Sequence, residues 1–155
     1  MTDRPSLDKA FAHLSAYQDA VRPRLSCRGI GCTGCCSGMI PVTDPEWARI
    51  LPHVTRAQRN HARLIDPENP TARCSLLDGT GRCSVYAVRP LICRSFTSTA
   101  PVARCDPHAR GEGPTPEPGG HAALRTAHRL AGIDPDTATS LAGRLAALTD
   151  AELRA

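Results

Sequence analysis

Residues 27–36 contain half of the eight cysteines of this chain. They read Cys-Arg-Gly-Ile-Gly-Cys-Thr-Gly-Cys-Cys, and the glycines between the cysteines can take positive φ and turn the loop back on itself. Closely spaced thiolates that face one point are typical of metal sites. The spacing therefore predicts a metal-binding loop with four candidate ligands, Cys27, Cys32, Cys35 and Cys36.

The remaining cysteines lie farther along the chain and must be brought to this loop by the fold. They are Cys74, Cys83, Cys93 and Cys105. Because neighbouring side chains diverge, Cys35 and Cys36 either serve different metal atoms, or one binds metal while the other packs or reacts. Thiolate-rich sites suit both zinc and iron–sulfur clusters, and more thiols than one closed zinc site needs favour an iron–sulfur cluster.

The beginning of the chain carries Asp3, Asp8 and Asp19 and has no apolar run, which is unlike a signal peptide. No stretch approaches the roughly 20 apolar residues that a membrane-spanning helix needs. We therefore expect a cytoplasmic protein without a membrane segment. Thiols stay reduced in the cytoplasm, so the cysteines favour metal or redox chemistry. The alternative is a framework of disulfides in a secreted protein.

The cysteines belong to a longer ordered pattern, which resembles the YkgJ-like cysteine-cluster family over residues 27–105. The resemblance implies cysteines that chelate zinc or hold an iron–sulfur cluster. Flagellin lysine methylases contain a similar cysteine pattern, but this chain lacks a recognisable S-adenosylmethionine fingerprint. The residues that carry the resemblance are Cys27-x4-Cys32-x2-Cys35-Cys36, Ile40, Thr43-x2-Glu46, Cys74-x2-Leu77 and Arg82-Cys83-x2-Tyr86-x2-Arg89-Pro90-x2-Cys93-Arg94-x-Phe96.

Positive side chains accompany the second half of the pattern. A metal held by several thiolates is an anionic group, and burying it requires hydrogen-bond donors and positive neighbours. Arg89 and Arg94 are placed for this role, so we predict that both contribute to cofactor binding from outside the ligand set.

Several function classes stay open. The chain contains no Walker loop, no dinucleotide-binding Gly-x-Gly-x-x-Gly and no His-Glu-x-x-His, and no catalytic residue can be assigned. The formal net charge is +4 with dispersed arginines and few aromatics, which is a weak signal for nucleic-acid binding. The hypotheses are a metal-chelating module, an electron-transfer or redox protein, and a metal-dependent protein-modifying enzyme such as a methyltransferase.

Helical patterns precede and follow the cysteine loop. Apolar residues at helical spacing predict a helix over 6–21. Thr43 and Glu46 form a capping-box pattern that predicts a helix from residue 44. A further helical piece over 55–65 should turn Ala57, His61, Leu64 and Ile65 inward and Arg56, Arg59 and Arg63 outward.

The rest of the chain predicts short strands and a helical tail. Two strands over 74–77 and 82–86 flank a glycine-rich turn, and a helical turn follows Pro90. Residues 121–132 and 136–148 predict a helical hairpin, capped at Asp136 or Thr137, that packs or recruits a protein partner.

These elements predict an α+β fold, in which a small metal-stapled domain with short helices and a short β-hairpin is followed by a C-terminal helical hairpin. The expected domains are a cysteine-cluster domain with an N-terminal helix over 1–110, a Pro/Gly linker over 111–120, and the helical hairpin over 121–155.

Overall fold

The computed structural model describes residues 6–24, 36, 39–65, 72–96 and 119–153. The predicted α+β class with short helices is confirmed, and none of the helices in these ranges is long and apolar enough to cross a membrane. The helices are α1 (Leu7–Val21), α2 (Asp44–Ile50), α3 (Arg56–Leu64), α4 (Leu91–Ser95), α5 (Gly120–Ala131) and α6 (Leu141–Ala147). The strands are β1 (Pro41–Val42) and β2 (Thr139–Ser140).

Helix α1 confirms the helix predicted from apolar spacing. Leu7, Ala10 and Leu14 are buried on one face, because residues three and four apart share a side of a helix. This face packs against Leu91 of α4 and the buried alanines of α5 in one hydrophobic cluster. Helix α4 carries Cys93 and is therefore held between two longer helices.

Helix α2 begins at the predicted capping box. The Glu46 carboxylate accepts hydrogen bonds from the N–H and the hydroxyl of Thr43, at 2.9 and 2.6 Å. The first of these bonds satisfies a backbone N–H that the start of a helix otherwise leaves unpaired. Farther along the same helix, Ile50 is fully buried in a second cluster, with Trp47 and Leu51 packed at its edge.

Helix α3 forms where predicted, with a capping box of Thr55 and Gln58. The predicted inward face is wrong, since Leu64 is 86% exposed and Arg59 is 5% exposed. Arg59 lies inward because its guanidinium donates to the carboxylate of Asp150. A carboxylate from the far end of the chain thus pairs with a side of α3 that the sequence pattern assigned to solvent.

The two strands join distant parts of the chain in an antiparallel pair. The N–H of Leu141 extends the pairing by donating to the carbonyl of Ile40 at 2.8 Å. Strand β1 contains Pro41, which is tolerated because, among the described residues, each strand of this pair has an unpaired edge. The register is Pro41 with Ser140 and Val42 with Thr139.

This pairing also corrects the predicted start of the last helix. Thr139 and Ser140 are extended, so α6 cannot begin at Asp136 or Thr137, and residues 135–137 form only a single 3-10 turn. Helix α6 instead begins at Leu141, with the Ser140 hydroxyl accepting from the N–H of Gly143 at 3.3 Å.

The predicted strands between residues 74 and 86 are reduced to one antiparallel bridge, between Leu77 and Cys83. The turn between them is ordered by Asp78, whose Oδ1 accepts from the N–H groups of Thr80 and Arg82 at 2.8 and 3.0 Å. Gly81 takes a φ of +78°, which favours glycine. The turn places Cys74 and Cys83 on opposite arms of this segment.

Both hydrophobic clusters combine residues from before and after the predicted linker. Helix α5 packs on α1 and α4, and α6 packs on α3. Leu141 and Leu145 of α6 share a cluster with Val42, Ile50 and Leu76. The C-terminal helices therefore complete the packing around the cysteine-bearing segments, while the domain boundaries themselves stay a prediction.

Candidate metal centre

Half of the predicted thiol ligands lie in the part of the chain that the structure describes. Cys36, Cys74, Cys83 and Cys93 are partly buried. The predicted cofactor neighbours Arg89 and Arg94 are described as well. The eight-cysteine ligand set stays a prediction, because the other members lie outside the described residues: Cys27, Cys32, Cys35 and Cys105.

The two halves of the cysteine pattern meet at a backbone hydrogen bond. The N–H of Cys74 donates to the carbonyl oxygen of Cys36 at 2.9 Å. Strand β1, α2 and α3 lie between these residues in sequence, so the bond closes that stretch into a loop. Cys36, the last cysteine of the first half, is thereby placed beside Cys74, the first cysteine of the second half.

Backbone amides point at two of the thiol sulfurs. The N–H of Leu76 donates to the sulfur of Cys74 and lowers the pKa of that thiol, and the N–H of Val85 does the same for Cys83. In both cases the donor lies two residues after the cysteine, so the chain turns around its sulfur. Such donors stabilise negative charge on sulfur, which a thiol acquires when it binds metal.

Burial has a larger effect in the opposite direction. It raises the pKa of Cys74 to about 11, and charge on Cys83 adds to the rise. Burial also raises the pKa of Cys83, while Arg89 lowers it. In the metal-free protein both thiols therefore carry their protons at neutral pH, and a positive group stands near the pair.

Cys93 is positioned by helix α4, and Glu46 fixes the start of that helix. Glu46 is buried, and its Oε1 accepts from the N–H of Leu91 at 2.7 Å while its Oε2 caps α2. A carboxylate is favourable at this position because the first N–H groups of a helix are unpaired and carry partial positive charge. The Glu46 side chain thus ties the start of α2 to the start of α4.

Arg94 is a buried cation on the same short helix. Its guanidinium donates to the carbonyls of Arg89, at 3.1 Å, and Ala87, and its central carbon lies 3.6 Å from the centroid of the Phe11 ring. Burial is the main cause that lowers the pKa of Arg94, to about 10, and Arg89 lowers it further. Charge on Cys93 acts the other way, which brings this thiol into the same electrostatic neighbourhood.

Arg89 lies over the ring of Tyr86, with its guanidinium carbon 3.8 Å from the ring centroid. It donates to the Tyr86 carbonyl at 2.8 Å and to the side-chain oxygen of Gln18 at 3.4 Å. Within the described residues these partners are neutral, and neither stacking on a ring face nor donating to a neutral acceptor cancels the charge of a guanidinium. The positive charge of Arg89 acts on Cys83, and that of Arg94 interacts with Cys93.

The described residues hold part of a donor set rather than a complete site. Among them, no three His, Cys, Asp or Glu side chains converge closely enough to hold a metal ion. Partly buried thiols with amide donors at their sulfurs and guanidinium neighbours do fit an anionic metal–thiolate group. The chemistry of these donors agrees with either zinc or iron.

Sequence reasoning missed the residues that hold the 74–84 segment in place. The amide nitrogen of Gln58 donates to the Ser84 hydroxyl at 2.8 Å and to the Leu76 carbonyl at 3.5 Å. The Nδ1 of His61 lies 2.8 Å from the Ser75 hydroxyl. Nothing in the sequence signals these long-range bonds.

Comparison with known proteins identifies the cysteine-bearing stretch. The model of the CxxCxxCC family, described as a "Putative zinc- or iron-chelating domain", matches residues 26–113. This stretch includes all eight cysteines, both arginines and Glu46. No curated protein and no solved structure matches the chain.

Proposed function

Because the chain belongs to the CxxCxxCC family of zinc- or iron-chelating domains, we propose that its cysteine thiolates hold an iron–sulfur cluster, with zinc as the alternative occupant. The hydrogen bond between the Cys74 N–H and the Cys36 carbonyl carries the proposal, because it brings both halves of the cysteine pattern together. The proposed location is the cytoplasm, where thiols stay reduced. A bound cluster would supply one-electron transfer, and bound zinc would supply a structural link.

The charges of the described residues support an anionic occupant. Several thiolates around one metal centre leave a negative group, and a partly buried negative group needs nearby donors. The amides of Leu76 and Val85 face two of the sulfurs, and Arg89 and Arg94 stand beside Cys83 and Cys93. We propose that these arginines stabilise the metal–thiolate group without binding the metal.

The number of thiols supports iron–sulfur over zinc. A closed zinc site uses about four ligands, whereas a cluster or a site with several metal atoms can use more. The ligand set that we propose contains eight cysteines. Cys36, Cys74, Cys83 and Cys93 come from its described half, and Cys27, Cys32, Cys35 and Cys105 are the remaining members.

Metal and acid-labile sulfide analysis of anaerobically purified protein tests the proposal. Iron and sulfide in equal amounts, with visible absorption that bleaches on reduction, are expected for a cluster. Zinc without sulfide and without visible absorption would show that the site holds zinc and not an iron–sulfur cluster. Neither metal at a stoichiometric level, in protein purified or reconstituted under reducing conditions, would contradict metal chelation.

Serine variants then test the thiols individually. Cys74→Ser and Cys83→Ser each exchange one sulfur for oxygen, and each should lower the bound metal because an alcohol is a much poorer ligand than a thiolate. Ala87→Ser, which adds one hydroxyl to an exposed side chain close to Cys83 in sequence, is the control that should retain full loading. Unchanged loading in both cysteine variants would contradict this part of the ligand set.

A further inference from the structure

Helix α1 lies outside the segment that the family model matches, yet it contacts both arginines of the candidate metal centre. Two of its side chains, Phe11 and Gln18, make these contacts. They are seven residues apart, which is two helical turns, so they lie on one side of the helix. Leu14 lies between them and is completely buried.

The Gln18 carboxamide holds both arginine residues at once. Its oxygen accepts from a terminal nitrogen of Arg89 at 3.4 Å, and its nitrogen donates to the backbone carbonyl of Arg94. Opposite ends of one planar amide are therefore engaged by Arg89 and Arg94. Because a carboxamide is neutral, it positions the Arg89 guanidinium without cancelling its charge.

Phe11 acts on the second guanidinium. The guanidinium carbon of Arg94 lies 3.6 Å from the centroid of the Phe11 ring, which is a close stacking distance. The face of the Phe11 ring attracts the Arg94 guanidinium and covers one side of it. Phe11 and the carbonyls of Ala87 and Arg89 together hold this side chain in one orientation.

Arg89 and Arg94 repel each other, so their arrangement depends on such anchors. The repulsion contributes to the lowered pKa of Arg94, where it is the second cause after burial. Neither arginine has a carboxylate within salt-bridge distance in the described residues. Without an anchor, a long charged side chain moves to solvent, where water screens it.

We propose that Phe11 and Gln18 are positioning residues, which hold Arg89 and Arg94 beside the thiols and so strengthen metal binding. This inference rests on the proposed metal centre. Removing an outer hydrogen-bond partner of a metal site typically lowers metal affinity by about 10–100-fold. Since α1 acts through the arginines, the loss for each α1 variant should be near the lower end of this range.

The experiment uses the full chain loaded with Co²⁺ alone, in place of the unidentified native metal. Gln18→Leu removes both amide bonds, and Phe11→Leu removes the ring face. Each should weaken Co²⁺ binding by about tenfold in chelator competition. Each should also shift the thiolate-to-cobalt charge-transfer absorption. When an arginine guanidinium moves away from the thiolates, the energy of the sulfur electrons changes.

Two variants separate positioning from general packing. Phe11→Tyr keeps an aromatic face and should retain the affinity and absorption of the unchanged protein. Leu14→Ala loosens the same side of α1 without touching either arginine, so it should lower thermal stability and leave both readouts nearly unchanged. An equal loss of affinity in Leu14→Ala and Gln18→Leu would overturn the inference.

The signals of the arginine Nε–H groups in NMR spectra give a test that needs no metal. The Phe11 ring should shift the Arg94 signal, and Phe11→Leu should remove that shift. If Cys83→Ser abolishes Co²⁺ binding while Gln18→Leu and Phe11→Leu bind normally, only the positioning role is wrong. If the unchanged protein binds neither Co²⁺, zinc nor iron, the proposed function fails and this inference fails with it.

Discussion

The backbone N–H of Cys74 donates to the carbonyl oxygen of Cys36. This hydrogen bond joins the segments that carry the two halves of the cysteine pattern without using a metal. The join is made by main-chain atoms, and it leaves both thiol groups available. Gln58 and Glu46 support it from outside, the first by holding the 74–84 segment and the second by fixing the start of α4. The fold therefore positions all four of the described candidate thiols, Cys36, Cys74, Cys83 and Cys93.

This bond bears on the adjacent cysteines. Cys36 is tied to Cys74 through its carbonyl, and side chains of adjacent residues generally diverge. Neighbouring side chains cannot readily reach one metal atom together, so the two serine variants should differ. We expect Cys36→Ser to lose more metal than Cys35→Ser, because Cys36 is the residue bonded to Cys74. Metal stoichiometry of the two variants, purified side by side, checks this. Equal and complete loss in both would instead favour a site with several metal atoms that uses both thiols.

Metal affinity should rise steeply with pH. Burial raises the pKa of Cys74 to about 11 and also raises that of Cys83, so metal must displace a proton from each thiol at neutral pH. Each displaced proton contributes about tenfold in affinity per pH unit, so these two thiols should give about a hundredfold per unit. Chelator competition with Co²⁺ between about pH 6 and 8 measures the slope.

The matched control for this slope is Cys74→Ser, in which one proton no longer has to be displaced. The metal affinity of this variant should be weaker at every pH. It should rise by about tenfold per pH unit instead of about a hundredfold. A slope that does not change in this variant would show that Cys74 does not lose its proton to the metal.

Glu46→Gln should lower the free energy of unfolding by about 1–3 kcal/mol, because the amide can no longer accept all three hydrogen bonds and its NH₂ faces a buried donor. Glu152 provides a matched control. It accepts from the N–H and the hydroxyl of Thr149 in the same way as Glu46 does from Thr43, but it is exposed. Urea denaturation should show a clearly smaller loss for Glu152→Gln. Equal losses would mean that the bond from Leu91 contributes little.

Gly120 lies where α5 crosses α4, and a Cβ built at this position would be 2.7 Å from the carbonyl oxygen of Ser95. Gly120→Ala should therefore push the two helices apart and cost about 1–3 kcal/mol of stability. In α6, Gly143→Ala would meet Ser140 only at ordinary contact distance, 3.6 Å, so this control should be neutral or stabilise by about 0.5–1 kcal/mol. Chemical denaturation of both variants decides whether the close approach at Gly120 is required.

The elements that the sequence predicted well have local signals. Leu7, Ala10 and Leu14 repeat at helical spacing, and Thr43 with Glu46 forms a capping box within four residues, so α1 and the start of α2 could be identified without tertiary information. The burial of Arg59 could not, because its partner Asp150 belongs to the other end of the chain. Strand β2 gave no signal, because a strand of two residues has no periodicity.

The candidate site divides in the same way. Cysteine spacing and charge predicted the thiols and Arg89 and Arg94, because residue type alone limits their chemistry. Gln18 could not be identified, since one glutamine on a helix surface carries no pattern, and its role depends on where α4 packs against α1. The cysteine ligand set and the role of both arginines stay predictions that metal analysis can test.

The pairing of β1 with β2 has a consequence for the order of events during synthesis. Every cysteine precedes Thr139 in the sequence, so a ribosome makes all candidate ligands before it makes the strand that pairs with residues 41 and 42. Until β2 emerges, the partner groups of β1 are open, and Val42 and Ile50 lack their contacts with Leu141 and Leu145. Contacts between such distant residues form late, because the chain between them must first be closed. Metal that enters the nascent chain therefore meets thiols whose supporting core is still incomplete.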